Sequence, residues 1–132
     1  MRNLRSGPAR LLVVDDNKVN RLLLGRSLEL QGHSVASAEN GRVALEMLRR
    51  DGFDLVLLDM EMPEMDGLEA SRKINARRQP QERPRIIAMT ANAMQGDREM
   101  CLAAGMDDYL TKPIRVERLV EALNQVTARK ER

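Results

Sequence analysis

Asp15, Asp16, Asp59, Thr90 and Lys112 are the residues of this chain whose types and placing could do chemistry. Each follows closely on a short apolar run: LLVV runs into Asp15 and Asp16, LVLL into Asp59, IIAM into Thr90, and YL into Thr111 and Lys112. Two adjacent acids at the end of a core strand repel each other and resist desolvation, so something must compensate them. An oxygen-only ligand set with room for water suits a hard divalent cation, Mg²⁺ above all, and no His or Cys cluster offers a zinc site. Three carboxylates exceed what a structural Mg²⁺ needs, and Lys112 is a point charge of the kind that binds phosphate. A transient phosphoryl group accounts for both. With Mg²⁺ and Lys112 absorbing charge on its equatorial oxygens, one carboxylate can attack phosphorus in line and form an acyl phosphate. On this reading Lys112 has no partner until the phosphoryl group arrives.

For these residues to meet, the elements carrying them must share one edge. Strand-length apolar runs occur at Leu11–Val14, Val35–Ala38, Leu55–Leu58, Ile86–Met89 and, weakly, Tyr109–Leu110. Between them lie stretches of helical period: Val19, Leu22, Leu23 and Leu30; Val43, Ala44, Met47 and Leu48; Leu68 to Ile74; Met94 to Ala104; and Val116 to Val126. Breakers agree with this division. Asn40-Gly41 precedes the second helix, Pro63 and Gly67 bracket the loop before the third, and Gly105 is placed to end the fourth. Strands separated by single helices pair in parallel through right-handed crossovers, and near-continuous apolar strands suit a sheet covered on both faces. The pattern predicts an α/β fold: a doubly wound, flavodoxin-like, five-stranded parallel sheet of order 2-1-3-4-5 with five helices. In such a sheet ligands bind beyond the carboxyl ends of the strands, where strand order reverses. Strand two, ending in Ala38 and Glu39, lies to one side and need not contribute. Taken singly, an Asp after a strand is a cap or turn residue. Taken together, carboxylates on both central strands and a cation on the neighbouring side are hard to assign to capping.

At 132 residues the chain fits one domain, with no room for a second catalytic or DNA-reading domain. The 22 basic and 20 acidic residues nearly cancel. The basic excess sits at the ends, in Arg2, Arg5 and Arg10 and in Arg129, Lys130 and Arg132, so residues 1–9 and 128–132 read as solvated basic tails around a domain spanning 10–127, not as a nucleic-acid surface. Cys101 is the single cysteine, cannot form an internal disulfide, and reads as a small packed hydrophobe. No apolar run approaches the ~18 residues of a membrane span, and the N-terminus lacks a signal-peptide core. A cytoplasmic chain without membrane contact is expected.

The motifs VVDDN, LLDMEMPEMDG, MTANAM and AGMDDYLTKPI, within a match from about Arg10 to Val126, resemble the receiver domains of two-component response regulators. The last three are most similar to receivers of hybrid sensor kinases and phosphorelays. The resemblance implies that Asp59 is the phosphoacceptor, and that Asp16, Asp59 and the backbone carbonyl of Glu61 ligate Mg²⁺ while Asp15 acts through metal-bound water. It implies that the Thr90 hydroxyl follows a phosphoryl oxygen, that Lys112 clamps the group, that Tyr109 changes rotamer with the switch, and that the Lys112-Pro113 bond is cis. Glu61 and Asn92 stand where the family varies and tunes the removal of the phosphoryl group by water; the Glu61 charge could repel the group or position the attacking water. The implied function is to take a phosphoryl group from a phosphohistidine of a sensor kinase or histidine phosphotransfer protein and to switch surface conformation. Such a chain catalyses only its own phosphoryl transfer and dephosphorylation. A receiver–receiver dimer through the fourth helix, fifth strand and fifth helix is a further expected partner mode.

Other readings fit less well. A flavodoxin-like FMN protein needs a hydroxyl- and glycine-rich phosphate loop where this chain has DDNKVN. An aspartyl phosphatase of the dehalogenase type needs a general acid two residues past its nucleophile; Glu61 has that spacing, but the rest of the motif and a cap domain are missing. A receiver that binds partners without phosphorylation would have lost one of the key residues, and none is lost. His33, the sole histidine, reads as a surface loop residue. Met60, Met62, Met65 and Met94 gather near the site, either as an adaptable partner surface or in local packing.

Overall fold

Strands β1 (Arg10–Val14), β2 (Ser34–Ala38), β3 (Leu55–Asp59), β4 (Arg85–Thr90) and β5 (Asp108–Thr111) alternate with helices α1 (Lys18–Leu30), α2 (Gly41–Arg50), α3 (Gly67–Ala76), α4 (Gln95–Ala103) and α5 (Val116–Lys130). The computed structural model describes residues 9–62, 65, 67–76, 84–91 and 95–130. All strand pairs are parallel, in the order β2-β1-β3-β4-β5, which is the doubly wound order expected from the alternation.

Successive side chains of a strand point to opposite faces, so a sheet with helices on both sides needs apolar residues at every position. β3 is buried along its whole length. Leu12, Val14, Val56, Leu58, Ile86 and Ala88 turn to one face, where they pack with Ala44, Leu45 and Leu48 of α2, Ala70 and Ile74 of α3, and Cys101 of α4. Their neighbours Leu11, Val13, Leu55, Leu57, Ile87 and Met89 turn the other way, onto Leu24 and Leu28 of α1 and Leu119, Ala122 and Leu123 of α5. Cys101 is 2 % exposed, as a packed hydrophobe should be.

The structure departs from the sequence pattern at three places. Val19, Leu22, Leu23 and Leu30 mark α1 by their spacing, yet they are 61–76 % exposed; Leu24 and Leu28, one turn apart, make the contact with the sheet. The helix starts at Asn17, whose side chain caps the Asn20 N–H at 3.0 Å, and that start sets which face turns inward. Helix α5 runs through Lys130, three residues into the stretch expected as a tail, because Ala128, Arg129 and Lys130 are good helix formers. Ala9, also placed in a tail by its sequence neighbours, is 8 % exposed. Its N–H donates to His33 Nδ1 at 3.1 Å and its carbonyl accepts the Ser34 N–H at 3.0 Å.

His33 is therefore a partly buried acceptor that ties the chain into β1, not a surface loop side chain. Burial lowers its pKa from 6.5, which keeps Nδ1 unprotonated as the contact requires. Since the folded chain resists the proton, this contribution to stability is present above the ordinary histidine value and is lost as pH falls below it. Thermal melts between about pH 5.5 and 7.5 should show a falling midpoint toward acid. His33→Asn, whose side-chain oxygen can accept from Ala9 without titrating, should flatten that slope; an unchanged slope would remove His33 as its source.

Helix α4 ends at Gly105, with φ +92. Gly105 N–H reaches the Leu102 carbonyl at 3.0 Å and Met106 N–H reaches Cys101 at 3.1 Å, the paired reversal that a left-handed residue allows. That turn delivers the chain to β5.

Candidate functional site

Strand register assembles the site. Val14 lies beside Leu58, so the next residues, Asp15 and Asp59, emerge side by side from the two central strands. Asp59 lies beside Met89, and Thr90 beside Thr111, which brings Thr90 and then Lys112 to the same edge. The Lys112 N–H closes on the Thr90 carbonyl at 2.7 Å. β2 sends no side chain here; it holds the Asp15 N–H through the Ala38 carbonyl at 3.2 Å.

Local structure aims each carboxylate. Asp15 is 1 % exposed, its Oδ1 accepting the Asn17 N–H at 2.8 Å and its Oδ2 the Asn20 side-chain amide at 3.4 Å. Arg21 donates to the Asp15 carbonyl at 2.7 Å. Because Asn17 takes the capping role, Asp16 is left exposed at the mouth of the site. One carboxylate oxygen from each of Asp15, Asp16 and Asp59 can lie within 4.8 Å of the other two.

After Asp59 the chain folds back closely. A Cβ on Gly67 would stand 2.8 Å from Met60 Cα and 2.9 Å from the Asp59 carbonyl, so only glycine lets α3 begin against the strand end. Met60 and Met65 pack against the α2–α3 core and Met62 is 6 % exposed, which places these three in local packing. Met94 and Asn92 lie outside the described residues, as does Pro63.

Asp59 is itself 1 % exposed, and its two oxygens differ. Oδ1 accepts the Glu61 N–H at 3.0 Å and the Lys112 ammonium at 2.7 Å. Oδ2 is buried and, among the described residues, has no hydrogen-bond partner. Burial pushes the Asp59 carboxyl above its ordinary value and the nearby Asp15 adds to the rise, while the Lys112 bond and the Glu61 N–H oppose it without cancelling it. For Lys112, burial acts to lower the pKa, but the bond to Asp59 and the fields of Asp59, Asp15 and Glu61 outweigh it; the result is raised and the group stays an ammonium. Lys112 is thus engaged before any phosphoryl group arrives, contrary to the expectation from sequence.

The Glu61 side chain carries a role that sequence did not reveal. Its Oε2 accepts the Thr90 hydroxyl at 3.1 Å, and its Oε1 accepts the Ala91 N–H at 3.3 Å and stands 3.5 Å from Lys112 Nζ. The visible signal was an acid two residues past Asp59. Its reach across β4 depends on the loop that Gly67 permits.

Tyr109 lies beside Ala88 on β5 and packs, half-buried, against the α2–α4 core. With Lys112, Arg115 and Arg118 it lines a cavity of about 530 Å³. The Lys112-Pro113 bond is cis. A second cavity, about 400 Å³, opens between α1 and the residues after β5, with Asp15 and Lys112 in its lining beside Leu23, Leu24 and Ile114. The donor set fits a hard divalent cation: three carboxylates converge, and one buried oxygen lacks a partner among the described residues.

Residues 11–124 match the family model of the response regulator receiver domain. The sequence is 42 % identical over 123 residues to the sensor protein GacS of Pseudomonas syringae pv. syringae, covering 91 % of this chain but 14 % of that protein. The chain therefore spans about one seventh of the length of that relative. Among solved structures, the receiver domain of a sensor histidine kinase from Pseudomonas aeruginosa PAO1, with a magnesium ion coordinated in its active site cleft, gives a TM-score of 0.82 at 38 % identity, covering 92 % of this chain and 99 % of that one. The receiver domain of the Saccharomyces cerevisiae response regulator Ssk1, crystallised with the histidine phosphotransfer protein Ypd1, gives 0.83 at 29 % identity, covering 92 % and 90 %.

Proposed function

This chain belongs to the response regulator receiver domains, and from that premise we propose that Asp59 accepts a phosphoryl group from a phosphohistidine and that the product is an acyl phosphate. The observation that carries the reading is the division of labour on one buried carboxylate: Oδ1 is held by Lys112, and Oδ2 is left for a cation. A lone pair of Asp59 Oδ1 forms the new O–P bond as the N–P bond of the donor imidazole breaks, and that bonding pair returns to the imidazole nitrogen. Asp16, Asp59 and the Glu61 carbonyl would hold Mg²⁺, with Asp15 acting through its water, and the ion would supply Lewis-acid neutralisation of charge on the transferring group. Lys112 moves with the reaction from the carboxylate to the phosphoryl oxygens, and the Thr90 hydroxyl follows.

The donor approaches over α1. Val19, Leu22 and Leu23 form an exposed apolar stripe, of which Leu23 lines the cavity that holds Asp15 and Lys112, a surface suited to a helix of a histidine phosphotransfer protein or kinase in the cytoplasm. Among the described residues no helix is long and apolar enough to cross a membrane. Output follows on the other side. When Thr90 turns toward the phosphoryl group, Tyr109 can enter the space it leaves, and the changed face of α4, β5 and α5 is what a partner, including a second receiver, would read. The chain acts as a switch and turns over no substrate beyond its own phosphoryl group.

Incubation with Mg²⁺ and acetyl phosphate should add about 80 Da to the intact mass, as an adduct labile to hydroxylamine and absent in EDTA. Asp16→Asn should raise the Mg²⁺ concentration needed by about tenfold. A chain that gains no mass with Mg²⁺ present, or gains it equally in EDTA, overturns the proposal.

A further inference from the structure

We propose that the Glu61 carboxylate is a resident competitor of the phosphoryl group, occupying its donors until transfer displaces it. This rests on the reading of Asp59 as phosphoacceptor and concerns the regulation of that site. Three donors meet at the strand ends around Glu61: the Thr90 hydroxyl, the Ala91 N–H and the Lys112 ammonium, the last also on Asp59 Oδ1 at 2.7 Å. Glu61 reaches all three, with Oε2 on the hydroxyl at 3.1 Å and Oε1 on the amide at 3.3 Å and near the ammonium at 3.5 Å. The hydroxyl and the amide each hold one proton to donate. A phosphoryl oxygen that takes either proton must take it from Glu61, so the two anions exclude each other at these donors.

The arrangement is built to open. The Glu61 side chain is 49 % exposed, so its carboxylate can swing into water without becoming a buried, unpaired charge. Its backbone is fixed meanwhile, since the Glu61 N–H holds Asp59 Oδ1 at 3.0 Å. Only the side chain moves. The closed form reduces the fraction of molecules competent to receive the group, and apparent affinity falls by that fraction. A half-exposed contact of this kind is modest, so a penalty of about three- to tenfold is expected. A longer-lived displacement would come from a partner that gives the Glu61 carboxylate a cation of its own.

Trifluoroberyllate, a phosphoryl-shaped anion, tests this without turnover. At saturating Mg²⁺, its binding to the whole chain is followed by ¹⁹F NMR, with the Ala91 amide resonance read in parallel. Glu61→Gln and Glu61→Ala should bind it about three- to tenfold more tightly than wild type. Glu61→Asp keeps the charge but is too short to reach Thr90 and Ala91, and should show most of the same gain. In Glu61→Ala without the anion, the Ala91 amide should lose its hydrogen-bonded shift. Unchanged or weaker binding in Gln and Ala overturns the inference, and so does an Asp variant that behaves as wild type, which would reduce the effect to charge at a distance. If wild type itself neither binds trifluoroberyllate nor gains phosphoryl from acetyl phosphate, the reading of Asp59 fails and takes this inference with it. Normal wild-type binding with no gain in the variants removes this inference alone.

Discussion

Asp59→Asn should gain no mass from acetyl phosphate at saturating Mg²⁺, and without metal it should melt at a higher temperature than wild type at neutral pH. Both results come from one buried group. The amide has no lone pair nucleophilic enough to attack phosphorus, so the rate falls to that of background modification. The stability gain follows from proton linkage. Burial raises the Asp59 pKa above its ordinary value of 3.8, so between that value and the raised one the folded chain binds more protons than the unfolded chain. Stability from this group therefore declines as pH rises through that window, and the cost is complete above it. An uncharged amide at this position carries no such cost, so the difference between variant and wild type should vanish toward acid. Mass spectrometry and melts across pH check the two halves separately. Normal phosphoryl uptake by the variant would move the acceptor elsewhere, and a lower melting point at neutral pH would mean that the Lys112 pairing outweighs desolvation.

Lys112→Ala should phosphorylate about 10²- to 10³-fold more slowly, the usual loss when a positioned charge is removed from a developing anion. It should also be less stable at neutral pH by about 1–2 kcal/mol, since the ammonium 2.7 Å from Oδ1 is, among the described residues, the one close cation on a carboxylate that is 1 % exposed. The loss stays at the low end because Lys112 is itself 25 % exposed and screened by solvent. Metal binding should survive and even tighten. Lys112 sits on Oδ1, not on Oδ2, which has no partner among the described residues, and its charge repels a cation. Calorimetric titration with Mg²⁺, stopped-flow phosphorylation and thermal melts distinguish the possibilities. Loss of Mg²⁺ binding would make Lys112 a structural support of the metal site, and an unchanged transfer rate would remove it from the chemistry.

Strands were legible in the sequence wherever burial on both faces demanded an unbroken apolar run, as in LLVV, LVLL and IIAM. Their parallel pairing and order then followed from the alternation with helices, and with them the meeting of Asp15, Asp59, Thr90 and Lys112. Side-chain direction was less legible. Helical spacing identifies α1 but not the face it buries, because two apolar stripes compete and the cap at Asn17 decides between them. The carboxylate-rich turn hid which residue caps and which stays available, a choice made by the Asn17 hydrogen bonds. The contacts of His33 and of the Glu61 side chain escaped for the same reason: each acts across the fold on a residue distant in sequence, Ala9 in one case and Thr90 in the other. Spacing carries no trace of contacts of that kind.

The strand register has a consequence for folding. β1, β3, β4 and β5 each supply a different part of the constellation, so no hairpin, helix pair or half-sheet contains enough of it to bind anything. Parallel strands join only by closing long loops, and such non-local contacts form late and slowly. A chain that has collapsed but not yet docked β5 holds three carboxylates without Lys112, and one that lacks β1 holds Asp59 without Asp15 or Asp16. If the proposed Mg²⁺ site forms, the ion would distinguish the finished sheet from its precursors, since binding that favours only the native form stabilises it by mass action. On the proposed function, competence to take up a phosphoryl group would report that every crossover has been completed, and a misfolded copy would be silent in signalling because it lacks the edge on which the signal is written.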